Sequence, residues 1–192
     1  VELSRFEPVA VRENVTTLAM AARLITEKGV DDYVEAARRI RSYDQGTRFL
    51  LLGDVDDNPH SLSREQLISW RDEGVIEWPG RVDNIQDWLK EADVFVLPSF
   101  YREGVPRSTQ EAMALGRPII TTDHVGCRDT VDDGQNGFLV PTRDVHALAE
   151  AMRTFIDTPG LAQKMGKQSR RLAEERFDAA AADQRIISAL RA

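Results

Sequence analysis

A single cysteine, Cys127, stands in a chain of 192 residues. No internal disulfide can form, and the usage fits a reducing compartment. Cys127 itself reads as a small, semi-buried apolar residue. No apolar run approaches the roughly 18 residues of a membrane-crossing helix, and no signal peptide is visible. The three histidines, His60, His124 and His146, are scattered without metal-ligand spacing. His146 reads as exposed, and His124 is a candidate to line a cleft. Positive charge is in deficit, with 25 Lys and Arg against 32 Asp and Glu, a net charge of −7. That argues against non-specific nucleic-acid binding, although it leaves a local phosphate site open. A Gly-x-Gly-x-x-Gly run is missing too. The loop after the first expected strand holds only Gly29, which counts against a dinucleotide-binding oxidoreductase module.

What remains is an alternation of strands and helices. Strands are expected at Val15–Ala21, Thr47–Leu52, Val75–Trp78, Asp93–Pro98, Pro118–Thr122 and Phe138–Val140. The run Phe49-Leu50-Leu51-Leu52 is apolar throughout, as in a parallel strand covered on both faces. Helices are expected from Asp31 or Asp32 to Ser42, after Ser63 with Gln66 completing a capping box, after Asn84, over Pro106–Leu115 and after Asp144. Pro159-Gly160 breaks the last of these. Two more helices follow, interrupted near Arg176-Phe177-Asp178. The tryptophans Trp70, Trp78 and Trp88 read as packing residues. The pattern predicts an α/β class: a Rossmann-like, doubly wound, six-stranded parallel sheet with helices on both faces. Residues 1–13 read as a linker or edge segment, 14–176 as the nucleotide-binding unit and 177–192 as a C-terminal helix.

The stretch Glu103-Gly104-Val105-Pro106-Arg107-Ser108-Thr109-Gln110-Glu111 follows the fourth strand and runs into a helix whose first position suits Pro106. A strand end, a loop and a helix N-terminus make a seat for an anion, because free N–H groups and the helix dipole face it. The carboxylates of Glu103 and Glu111 cannot bind that anion, but they can accept hydrogen bonds from hydroxyls on either side of it. Hydroxyl, phosphate, hydroxyl is the profile of a nucleotide sugar. With strand order 3-2-1-4-5-6, the loops after strands one and four meet at the switch point. Arg23 and Lys28, which would otherwise be two solvated cations, then face the same seat and can neutralise a diphosphate.

The segment Tyr101–Val140 resembles the nucleotide-binding core of the retaining glycosyltransferases of family 4, one half of a GT-B fold. Glu103 and Glu111 match its Glu-x7-Glu pair, followed by Ala112-Met113-Ala114-Leu115-Gly116-Arg117-Pro118. Gly126, the run Asp133 to Val140, Arg23 with Lys28, and Pro79-Gly80-Arg81-Val82 extend the match. The form Tyr101 to Ser108 is most similar to members that build bacterial surface polysaccharides and lipid-linked oligosaccharides. The resemblance implies that Arg23 and Lys28 stabilise the departing nucleoside diphosphate, that Glu111 holds the ribose and that Glu103 contacts the donor sugar. It implies that main-chain groups at Arg81 and Val82 touch the base, uridine being favoured, and that amides of Gly104, Val105, Arg107 and Ser108 take phosphate. Many members carry glycine where Pro106 stands; proline lacks an N–H, and the Ser108 hydroxyl is expected to compensate.

Retaining transfer without an essential metal or other cofactor is the implied reaction, from a nucleotide sugar to a saccharide or lipid-linked acceptor. The acceptor would be held by an N-terminal domain that precedes this chain, which opens at Val1 without a methionine. The isolated chain is then expected to bind nucleotide but not to transfer. A cytoplasmic location follows, with peripheral contact at the inner face of the plasma membrane open for the longer enzyme. Two alternatives stand beside this. Asp54-Val55-Asp56 has the spacing of a metal-diphosphate motif, against a polar turn through Asp57-Asn58-Pro59. A non-catalytic nucleotide-sensing or interaction domain is the other.

Overall fold

The computed structural model describes residues 1–102 and 104–180. Six parallel strands form one sheet in the order β3-β2-β1-β4-β5-β6. These are β1 (Thr17–Ala21), β2 (Arg48–Leu52), β3 (Glu77–Gly80), β4 (Val94–Leu97), β5 (Ile119–Thr122) and β6 (Gly137–Val140). The central strands β1, β4 and β5 are buried at every position, which is why their sequences are apolar runs instead of alternations. The helices are α1 (Val30–Arg41), α2 (Arg64–Asp72), α3 (Ile85–Glu91), α4 (Arg107–Ala114), α5 (Val145–Asp157) and α6 (Leu161–Arg176). Right-handed crossovers running leftward from β1 and rightward from β4 set α1 and α4 on opposite faces. Helix α5 packs on α1 and α6 on α4, so both faces are covered. This is the Rossmann-like unit expected of half a GT-B fold.

Some local expectations are corrected. The third strand, expected over Val75–Trp78, runs instead from Glu77 through Pro79-Gly80. The shift is allowed because β3 is an edge strand, where a residue without an N–H breaks no inner ladder. Pro106, with φ −61° and ψ 128°, is the residue before α4 rather than its first. Asn84 precedes α3 but accepts no backbone N–H; its side chain donates to Asp87 instead. Ser63 caps α2 by accepting from the Gln66 N–H at 3.1 Å, yet the Gln66 side chain turns away to Asp31 (3.0 Å), so half of the box forms. Asp144 caps α5 through the Ala147 N–H at 2.9 Å. Trp70 and Trp78 are buried and Trp88 lies half-buried against the core. Cys127 is fully buried, beyond the semi-buried reading.

The N-terminal segment is tied to the far end of the sheet from the strand C-termini. Asp93, 1% exposed, accepts from the Thr16 and Thr17 amides (2.9 and 3.0 Å) and from Arg12 Nε (2.9 Å). Residues 5 to 13 lie against α6: Gln163 donates to the Val11 carbonyl and Arg170 to that of Phe6. Nearby Arg117 is 1% exposed. Burial pulls its guanidinium down to about 10, against the opposing pull of Asp93. The C-terminal helix expected over 177–192 falls, from residue 181 onward, outside the described residues, as does Glu103.

Candidate functional site

A cavity of about 360 Å³ opens at the C-terminal ends of the strands, where the sheet order reverses between β1 and β4. Its floor is Ala21 and Ala22 at the end of β1 and Leu52 and Gly53 at the end of β2. One wall is Arg23 and Lys28, and another is Arg81, Val82 and Ile85 from the β3–α3 connection. The N-terminal part of α4 closes it with Pro106, Arg107, Ser108 and Glu111. Four cationic residues and one acidic residue therefore line one space, in a chain whose net charge is −7. Local charge, not net charge, sets what such a space attracts.

Local sequence explains the walls. Thr26–Lys28 forms a 3₁₀ turn that ends at Gly29. Gly29 has φ 75°, and a Cβ there would lie 2.1 Å from the Pro98 carbonyl oxygen. Only glycine lets the Lys28 turn approach the loop after β4 so closely. That loop is pinned to the turn: the Phe100 N–H (2.9 Å) and the Ser99 hydroxyl (3.3 Å) both donate to the Glu27 carbonyl. Gly53, at φ 141°, packs on the Ala22 carbonyl, and its own carbonyl accepts from the Trp78 indole at 2.8 Å. The bases of β1, β2 and β3 are thereby held in fixed relation below the cavity.

At the start of α4, the amides of Arg107, Ser108 and Thr109 precede the first intrahelical donor, the Gln110 N–H that bonds the Pro106 carbonyl at 3.2 Å, so they have no partner within the helix. The Arg107 and Ser108 positions line the cavity. Glu111 lies one turn down, 8% exposed. Its Oε1 accepts from Arg107 Nε at 3.0 Å, while the rest of the Arg107 side chain is 80% exposed. The pair is an i,i+4 contact on one helix face. Gly104 and Val105 do not line the cavity; Val105 instead offers its carbonyl to the Gln110 side chain at 3.1 Å. His124 does not line it either.

Three features escaped the sequence reading. Arg107 enters as a side chain, paired with Glu111, and not only as an amide. Tyr101 presents its ring to both Arg23 (5.7 Å) and Lys28 (5.3 Å). Gly53 forms part of the floor. The first could have been found from the four-residue spacing of Arg107 and Glu111; the second has no local sequence signal.

Asp54 and Asp56 are spent on their own loop. Asp54 Oδ1 accepts from Arg64 Nη2 (2.7 Å) and from the Val55 N–H (2.9 Å), and Asp56 Oδ1 caps the Asn58 N–H at 3.0 Å. Among the described residues, no three His, Cys, Asp or Glu side chains are grouped to hold a metal ion. No helix among them is long and apolar enough to cross a membrane.

With this geometry in view, the similarities to known proteins are specific. The chain is 33% identical, over its whole length, to the putative colanic acid biosynthesis glycosyltransferase WcaL of Escherichia coli, and covers 49% of it. It is 31% identical over 78% of its length to the N,N'-diacetylbacillosaminyl-diphospho-undecaprenol alpha-1,3-N-acetylgalactosaminyltransferase of Campylobacter jejuni, covering 38% of that enzyme. The chain thus spans about half or less of the length of these relatives. In fold it is similar to HepE of Anabaena, solved in complex with UDP, with a TM-score of 0.82 and 20% identity over 99% of this chain and 55% of HepE. The family described as Glycosyl transferases group 1 matches residues 15–158. With the fold, the switch-point cavity and these matches in agreement, the chain belongs to the glycosyl transferases group 1 family.

Proposed function

We propose that this chain is the donor-binding half of a nucleotide-sugar-dependent glycosyltransferase. The observation that carries the proposal is the convergence of Arg23, Lys28, Arg81 and Arg107 with a single buried carboxylate, Glu111, on one switch-point cavity. A diphosphate would sit between Arg23, Lys28 and the free amides at the α4 N-terminus. Glu111, one turn down the helix, would accept from ribose hydroxyls. The base would then lie along Arg81 and Val82, and the donor sugar would point toward Glu103. UDP is the nucleotide chosen, supported by the UDP complex of HepE.

In the reaction the sugar–phosphate bond breaks and negative charge develops on the departing diphosphate. Arg23, Lys28 and the α4 amides would stabilise that charge without rearranging, which is electrostatic preorganisation. Glu103 and Glu111 act as hydrogen-bond acceptors and not as the acid and base of a hydrolase. Transfer proceeds with retention and needs no metal; the engagement of Asp54 by Arg64 of α2 and of Asp56 by the Asn58 N–H supports the second point. The acceptor is a saccharide or a lipid-linked saccharide, supported by the name of the Campylobacter jejuni relative. It is held by another domain, so the chain alone binds donor but does not transfer it, and membrane contact is peripheral and made by the longer enzyme.

Saturation-transfer NMR with UDP-glucose, in buffer containing EDTA, tests this reading. Saturation should reach base, ribose and sugar protons. No transfer to any of them at millimolar ligand would reject it, and binding that appears only after a divalent cation is restored would favour the metal-dependent alternative.

A further inference from the structure

We infer that Tyr101 is a positioning residue for the diphosphate cations, holding Arg23 and Lys28 over one ring so that both face the same phosphate seat. The inference rests on the donor-binding reading above and extends it to a residue which that reading leaves without a role. The guanidinium carbon of Arg23 lies 5.7 Å from the Tyr101 centroid and the Lys28 ammonium 5.3 Å. Both are within the roughly 6 Å over which a ring quadrupole attracts a cation. The backbone that carries the ring is itself fixed. The Tyr101 N–H donates to Ser99 Oγ (3.2 Å), and Ser99 Oγ donates to the carbonyl of Glu27, the neighbour of Lys28. Tyr101 and the Lys28 turn therefore form one cross-linked unit, with Arg23 brought onto it from the loop after β1.

The physical need is plain. Two like charges aimed at one point repel each other, and the exposed Arg23 side chain carries about 2 kcal/mol of rotamer entropy that binding would have to remove. An aromatic face attracts both cations at once, so it offsets the repulsion and orders the side chains before ligand arrives. Nothing in this arrangement requires the hydroxyl group. Phenylalanine should serve as well as tyrosine, and leucine, with similar apolar bulk but no quadrupole, should not.

The test is calorimetric titration of uridine, UDP and inorganic pyrophosphate into the chain and its Tyr101→Leu and Tyr101→Phe variants. Tyr101→Leu should weaken UDP and pyrophosphate about threefold to thirtyfold, from the usual strength of such contacts. Uridine affinity should be unchanged, and Tyr101→Phe should stay within about twofold of the parent for all three ligands. In an Arg23→Gln background the Tyr101→Leu effect should shrink, because one of the two cations is gone. The inference is overturned if Tyr101→Leu binds pyrophosphate as tightly as the parent. It is equally overturned if Tyr101→Phe loses as much as Tyr101→Leu, or if uridine weakens in parallel, which would mark a merely structural effect. If the unmodified chain binds neither UDP nor pyrophosphate, the donor-binding reading falls and takes this inference with it. UDP binding with an indifferent Tyr101→Leu leaves that reading standing and removes only this one.

Discussion

Lys28 and Glu111 divide the proposed ligand between them. Lys28 is 6% exposed and lies at the end of a turn that glycine allows to sit tightly against the loop after β4. A charged hydrogen bond of that kind contributes about 1.5–3 kcal/mol, so Lys28→Met should weaken UDP and pyrophosphate alike by at least about tenfold. Glu111→Ala should behave differently. UDP should weaken through loss of the ribose acceptor, while pyrophosphate should bind as well or better, since Arg107 is released from its 3.0 Å contact with Glu111. Titration of both ligands into both variants checks the split. The chemistry of these residues was legible in the sequence, because Arg23, Lys28 and Glu111 stand at strand ends and on a helix that a doubly wound sheet brings together. What could not be read was contact between side chains. Tyr101 meets Arg23 across more than seventy positions of chain, and no local pattern records that.

At the level of elements, the turn at Gly29 is the most exposed to substitution. Gly29→Ala would place a Cβ 2.1 Å from the Pro98 carbonyl oxygen and hold alanine at φ 75°. The left-handed conformation alone costs about 1–2 kcal/mol, and the clash adds to it. Urea denaturation should show a loss of about 2 kcal/mol or more, accompanied by weaker UDP binding because Lys28 is next door. The sheet edge makes a second test. Arg48, at the start of β2, forms two parallel bonds to Glu77 at the start of β3 (2.8 and 2.7 Å). The hydrogen bond from Arg48 holds the Glu77 carboxyl below its ordinary value of 4.5. A depressed carboxyl stabilises the fold fully above that ordinary value, and the contribution fades as pH falls through the folded pKa. The pair is about half exposed, so the effect is below about 1 kcal/mol. Glu77→Gln should therefore lower Tm slightly at pH 7, and the difference from the parent should vanish in acid. Element order and type were legible from apolar runs, caps and breakers. Boundaries were less so where tertiary context decided them: β3 runs through Pro79 because its outer edge has no neighbour, and Asn84 turned to Asp87 instead of capping α3.

For the molecule as a whole, the candidate site lies at one pole of the sheet. Asp93 and Arg12 fasten the N-terminal segment at the N-terminal ends of the strands, and the basic cavity lies at the C-terminal ends. A chain of net charge −7 still lines that cavity with four cationic residues. Strand order followed from the sequence only as the common arrangement for alternating strands and helices; the observed order is what brings the segments carrying Arg23, Lys28 and Arg81 to the helix carrying Glu111. The central claim is that this cavity holds a nucleoside diphosphate without a metal. Calorimetric titration of UDP into the chain in the presence of EDTA tests it most directly. One UDP should bind per chain, with an affinity that falls as salt rises and is unaffected by the chelator; the absence of any heat of binding at millimolar UDP would contradict a metal-free nucleoside diphosphate site.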